Sequence, residues 1–128
     1  MQYRMKNKKI LIADEAGFCR ICAAILEQEG FRTITVDDAR EFDRGLAGKD
    51  LGLVITSYPY GARLLKKLKN RKIPAIILLD QMSRELLRTL DDFDKKLSHC
   101  LIKPIDYDKF RALVNQTMYG DGGQGAET

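Results

Sequence analysis

No run of apolar residues in this 128-residue chain approaches the roughly 20 that a membrane-spanning helix needs, so a transmembrane span is not expected. The first nine residues, Met1-Gln2-Tyr3-Arg4-Met5-Lys6-Asn7-Lys8-Lys9, also lack the apolar stretch of a secretory signal, and the expected location is the cytoplasm. Cysteine is scarce: three residues, an odd number, argue against a disulfide scaffold and suit a reducing compartment. Histidine occurs once, as His99, so a zinc site would have only it and the cysteines to draw on. What is present is ordinary globular material, 45% hydrophobic and 31% charged, which excludes disordered, collagen-like and coiled-coil chains. A chain of this length makes one domain, able to bury roughly two thirds of its unfolded surface.

The net charge of +4 has a local source. Arg63, Lys66, Lys67, Lys69, Arg71 and Lys72 carry six positive charges with no acidic residue among them, and the rest of the chain holds 16 basic against 18 acidic residues. Cations at a helix C-terminus oppose the helix dipole favourably, and nucleic acid is on that ground not expected as a partner.

Short apolar runs alternate five times with segments of helical period, the pattern of a parallel α/β sheet. Strand 1 is Lys9 to Ala13, apolar without alternation and so covered on both faces. Helix 1 places Phe18, Cys22, Ile25, Leu26 and Glu29 at helical spacing and stops at Gly30. Strand 2 is Phe31 to Val36; Asp37 or Asp38 caps helix 2, with Ala39, Phe42 and Leu46 inward and its end near Gly48. Strand 3, Leu51 to Thr56, meets a Pro- and Gly-marked loop before helix 3 with Leu64, Leu65 and Leu68. Strand 4 is Ile73 to Leu79. Helix 4 follows Asp80 or Ser83 as cap, a role more expected of Asp80 than metal ligation, with Leu86, Leu87, Leu90 and Phe93 inward. Strand 5, His99 to Ile102, ends at Lys103-Pro104, and helix 5 after Asp106 shows Phe110, Leu113, Val114 and Thr117 on one stripe. Residues 1–7 read as a disordered basic N-terminus, 8–119 as the folded domain, and 120–128 as a flexible glycine-rich tail or the start of a linker.

Open sheets of this type bind ligands outside the carboxyl ends of their strands, where the strand order reverses. Asp14 and Glu15 after strand 1, Thr56 and Ser57 after strand 3, Leu79 and Asp80 after strand 4, and Lys103 after strand 5 are therefore the candidates. Carboxylates facing a lysine could hold a hard cation such as Mg²⁺, which takes oxygen ligands and keeps several waters.

Ile10-Leu11-Ile12-Ala13-Asp14-Glu15, Leu53-Val54-Ile55, Gly61 before Leu64-Leu65, Ile73-Pro74-Ala75-Ile76 and Lys103-Pro104 ahead of a capped helix follow one another in a specific order and spacing. Over about residues 8 to 118 the chain resembles the receiver domain of two-component response regulators. The resemblance implies a flavodoxin-like, doubly wound five-stranded parallel sheet of order 2-1-3-4-5 with helices on both faces. It also implies an aspartyl phosphorylation switch, in which an acid pair binds Mg²⁺ and an aspartate ending strand 3 accepts a phosphoryl group. A lysine then pairs with that group, and a strand 4 Ser or Thr swings to meet it.

Asp14 and Glu15 match the acid pair and Lys103 the lysine. The acceptor position, however, holds Ser57, with no acidic residue between Leu51 and Gly61. Leu79 stands at the switch hydroxyl and Cys100 at the switch aromatic. The Ser57–Gly61 loop is also shorter than the family's by roughly one helical turn. A serine needs an activating base to attack phosphorus, and His99 lies at the far end of strand 5; Leu79 cannot donate to a phosphoryl oxygen. The expectation is a degenerate receiver, not an enzyme, that works as a protein-interaction module without phosphorylation and requires no cofactor. A phosphorelay receiver still switched through Mg²⁺ and an atypical pocket is the alternative.

Two readings of the retained charges remain: Lys103 paired directly with Asp14 or Glu15, or a residual Mg²⁺ site at Asp14 and Glu15 that Asp80 helps to build. Cys19-Arg20-Ile21-Cys22 is formally a C-x-x-C, but the alignment with the family puts it a full turn inside helix 1, where both thiols pack as small apolar groups. A cysteine-based redox or metal sensor using Cys19, Cys22 and Cys100 is the lesser alternative. The expected partners are another signalling protein, an output domain or a second copy. In the family such partners meet the face of helix 4, strand 5 and helix 5, here carrying Arg84, Arg88, Asp91, Lys95, Asp106, Lys109 and Arg111.

Overall fold

Consecutive residues of the first strand are buried on opposite faces of one sheet: Ile10 and Ile12 join one apolar cluster, Leu11 and Ala13 another, and all four are wholly inaccessible to water. A strand alternates its side chains between faces, so a run with no polar alternation requires cover on both sides. The computed structural model describes residues 8–119 apart from Lys49, Asn70, Asp92 and Asp94. The N-terminal segment 1–7 and the tail 120–128 lie outside the described residues.

The elements are β1 (Lys9–Ala13), α1 (Ala16–Gln28), β2 (Arg32–Val36), a 3₁₀ turn (Ala39–Glu41), α2 (Phe42–Leu46), β3 (Leu51–Ser57), α3 (Ala62–Leu68), β4 (Ala75–Leu79), α4 (Arg84–Leu90), a second 3₁₀ turn (Lys95–Leu97), β5 (Ser98–Ile102) and α5 (Tyr107–Tyr119). The strands form one parallel sheet of order β2-β1-β3-β4-β5, as the resemblance implies. Cys22 and Leu26 of α1 pack with Phe110, Val114 and Met118 of α5 on one face. Phe42 of α2, Leu64 and Leu68 of α3 and Leu86 of α4 cover the other. Each such fully buried side chain stabilises the fold by about 1.5–3 kcal/mol. No helix among the described residues is long and apolar enough to cross a membrane.

Gly30 ends α1 with φ 91°, the left-handed conformation that glycine adopts without strain. Helix 2 differs from expectation. Asp38 caps a 3₁₀ turn by accepting from the Arg40 N–H at 2.9 Å, the α-helix begins only at Phe42, and Ala39 is exposed. Helix 4 is capped by Ser83, whose hydroxyl accepts from the Leu86 N–H at 3.1 Å. Asp80, the other candidate cap, is exposed and lies four residues before the helix, too far for its carboxylate to reach the orphan amides of the first turn. That helix stops at Leu90, and Phe93 turns back into the core through its N–H to the Leu90 carbonyl, 2.9 Å. Leu87 is not inward but 50% exposed. Strand 4 starts at Ala75, after Pro74, which has no N–H to give the sheet.

Candidate functional site

The sheet order reverses at β1, whose two neighbours are β2 and β3, so the carboxyl ends of β1 and β3 form the crevice. The register places Ala13 opposite both Val36 and Thr56. Asp14 and Ser57, each the next residue along, emerge side by side.

Asp14 and Ser57 are both only 5% exposed. The Ser57 hydroxyl donates to Asp14 Oδ1 at 3.1 Å, and the Glu15 N–H donates to the same oxygen at 2.8 Å. A buried carboxylate is costly unless hydrogen-bonded, and these two donors meet that need from within the chain. Beneath them the Thr56 hydroxyl donates to the Ala13 carbonyl at 2.7 Å, tying β3 to β1 through a side chain. The loop after β3 closes tightly, Gly61 N–H donating to the Ser57 carbonyl at 2.7 Å. A Cβ on Gly61 would stand 2.0 Å from Thr56 Oγ1, so only glycine lets the loop fold over that hydroxyl.

Tyr60 follows in this loop and donates its hydroxyl proton to the Asp37 carbonyl at 2.7 Å, bridging to the end of β2. Burial, followed by the nearby carboxylates of Asp14 and Asp37, pushes the Tyr60 phenol up from its ordinary value. Tyr60 escapes a reading that looks for acids and bases; its place directly after Pro59 in a short loop at a strand end is the signal that could have found it. Tyr58, Pro59, Asp80, Gln81, Ser83 and Glu85 line a neighbouring cleft of about 300 Å³.

The structure brings Asp14, Glu15 and Ser57 together but leaves Lys103 apart. Lys103 is exposed at the end of β5, and among the described residues it makes no ion pair with Asp14 or Glu15. The predicted Lys103 pairing is thus replaced by Ser57: a short neutral donor beside Asp14 satisfies the carboxylate without desolvating an ammonium group. Leu79 is buried in the sheet, and Cys100 is half-buried against the same cluster. Among the described residues no three His, Cys, Asp or Glu side chains stand close enough to hold one metal ion. Asp14 Oδ1 already accepts two hydrogen bonds, and position 57 offers a neutral hydroxyl where a strand 3 carboxylate would supply an anionic oxygen to Mg²⁺.

Cys19 and Cys22 are free, buried thiols on the sheet side of α1, as the packing reading expects. Cys19 Sγ lies 3.3 Å from the Asp14 carbonyl, and burial raises its pKa; burial also pushes the Cys22 thiol up to about 12. A reactive thiolate requires the opposite shift.

No protein-family model matches the chain, and no curated protein matches it in sequence. Solved structures do. A two-component response regulator from Clostridium difficile is 22% identical with a TM-score of 0.73, over 86% of this chain and 94% of that one. The response regulator 1452 receiver domain of Francisella is 26% identical with a TM-score of 0.69, over 85% and 94%. The response regulator TrrA of Thermotoga maritima, in complex with Mg²⁺-BeF, is 17% identical with a TM-score of 0.70, over 87% and 99%. The fold this chain shares with them is that of response-regulator receiver domains.

Proposed function

We propose that this chain is a receiver-type module of two-component signal transduction that acts in the cytoplasm as a protein-interaction domain, without enzymatic activity and independently of phosphorylation. The observation that carries the reading is the Ser57–Asp14 hydrogen bond of 3.1 Å. It occupies the point where a phosphoacceptor carboxylate would lie, with a neutral hydroxyl in place of an anionic nucleophile. Buried Leu79 and half-buried Cys100 supply neither the hydroxyl nor the aromatic of a receiver switch, which favours a domain held in one conformation.

Its output is a surface. Leu87 of α4 is 50% exposed and Ile102 of β5 55%, two apolar side chains on adjacent elements of the face expected to meet partners. On α4 and its C-terminal end and around the start of α5, Arg84, Arg88, Asp91, Asp106 and Lys109 are exposed, so the face offers charged side chains beside apolar ones; the Lys95 side chain lies outside those described. The occupant is another signalling protein, an output domain or a second copy of the chain.

The test is an amide NMR titration with Mg²⁺ followed by beryllofluoride, the probe already bound to the Thermotoga neighbour. Signals of Asp14, Ser57 and Lys103 are expected to stay fixed through both additions. Shifts that spread from them to Cys100 and α4 would establish a working pocket and replace this reading with a phosphorelay receiver.

A further inference from the structure

Between Arg63 and Lys72 the chain carries six cations and no anion. The helix dipole accounts for Lys66 and Lys67, which lie in the last turn of α3. Lys67 and Arg71 are held by the fold: Lys67 Nζ is 2.8 Å from Asp43 Oδ1, and Arg71 donates to the Leu46 carbonyl at 2.8 Å. The dipole does not account for the remainder. Arg63 is the second residue of α3, in the turn where the dipole opposes a cation, and no acidic residue shares that turn. Lys72 lies beyond the helix. Arg63, Lys66 and Lys72 are exposed and make no ion pair with the described residues. Lys66 and Lys69 also border, with Thr89 and Phe93, a groove of about 180 Å³ beside α4.

The chemistry of the face selects its ligand. Exposed large hydrophobic side chains among the described residues are Ile21, Met82, Leu87 and Ile102, none of them on α3. The buried centre of a protein interface is apolar, whereas a phosphate backbone needs only cations spaced along a surface. Four of the six cations are lysines, point charges that contact phosphate but lack the planar fork that reads base edges.

We infer that the cationic face of α3 and the segment up to Lys72 binds the phosphate backbone of nucleic acid without sequence preference. The expectation that set nucleic acid aside rested on the helix dipole, and that reason fails at Arg63 and Lys72. The six cations lie on α3 and the segment after it, on other elements than Asp14, Ser57, Leu87 and Ile102, so the inference is tested independently of the proposed signalling role.

The experiment is fluorescence anisotropy of a labelled 20-base-pair duplex (roughly two helical turns) with the full chain across 50 to 200 mM NaCl, on the order of physiological salt. Three phosphate contacts give a log–log salt slope of about −2.7, an affinity about 40-fold lower at the higher salt. Two duplexes of unrelated sequence should bind equally. The triple reversal Arg63→Glu, Lys66→Glu, Lys72→Glu should weaken binding by roughly tenfold or more. An equal reversal elsewhere, Arg84→Glu, Arg88→Glu, Lys109→Glu, should weaken it by less than roughly threefold, because salt screens distant charges. Circular dichroism verifies folding, and the milder pair Lys66→Gln, Lys72→Gln replaces the triple variant if that unfolds. The inference is overturned if the duplex fails to bind at low salt, if both triple reversals weaken binding equally, or if one duplex sequence is strongly preferred. Binding of polyglutamate as tight as the duplex would also overturn it and assign the face to an acidic polypeptide.

Discussion

Ser57 donates its hydroxyl proton to Asp14 Oδ1 across 3.1 Å, joining the carboxyl ends of β3 and β1 between residues 43 apart in sequence. Both groups are nearly inaccessible, so the bond operates where the local dielectric is low and an unpaired carboxylate is costly. A carboxylate at position 57 would repel Asp14 unless a cation lay between them; serine removes that need.

Substituting Ser57 therefore destabilises the chain in ways that Mg²⁺ distinguishes. Ser57→Ala leaves Asp14 with the Glu15 N–H alone and should cost about 1.5–3 kcal/mol in urea unfolding. Ser57→Asp should lower the melting temperature in the absence of divalent ions and recover it in millimolar Mg²⁺, because the new pair of carboxylates supplies the missing oxygen ligand. Melts of Ser57→Asp that are indifferent to Mg²⁺ would reject this account of the pocket.

Gly61→Ala should destabilise by about 1–3 kcal/mol, the usual cost of forcing an extra carbon into a packed site. Its Cβ would meet Thr56 Oγ1 at 2.0 Å. In a double-mutant cycle, Thr56→Ala should relieve part of that cost, giving a coupling of about 1 kcal/mol; strict additivity would show that the clash is not with Thr56.

The two candidate caps of α4 are separable by chemical denaturation. Ser83→Ala removes the acceptor of the Leu86 N–H and should cost about 1 kcal/mol. Asp80→Ala, at an exposed position outside the helix, should stay within about 0.5 kcal/mol of the parent chain.

Alkali should destabilise the fold through Cys22. Its thiol is raised from 9.0 to about 12 by burial, so the unfolded chain loses this proton first. The contribution of the neutral thiol is complete below pH 9.0 and declines up to about pH 12. Unfolding free energy should fall there by about 1.4 kcal/mol per pH unit for this one group. Cys22→Val should flatten that part of the profile, and an unchanged slope would assign the loss to other groups.

Much of the fold is legible from local chemistry. The apolar runs at residues 10–13, 53–55 and 75–79 contain no alternation, and burial on both faces is the one environment that accepts them in a parallel sheet. Gly30 and the capping Asp106, which accepts from the Asp108 N–H at 3.0 Å, mark a helix end and a helix start because they act within one turn of themselves. Helix 2 and the cap of helix 4 were less legible, since Asp38, Asp80 and Ser83 are all competent caps and local sequence does not rank them.

The sequence by itself determined the doubly wound class and the presence at the strand ends of Asp14, Glu15, Ser57 and Lys103, because period and residue type are local properties of the chain. Which of these meet was decided only by tertiary structure. Sheet register sets Ser57 against Asp14 and leaves Lys103 in solvent at the end of β5, an edge strand. A side-chain pair 43 residues apart depends on the alignment of two strands, and no local propensity encodes it. The same holds for the exposed Leu87 and Ile102 and for Arg63 in the first turn of α3: their meaning comes from what the fold places beside them.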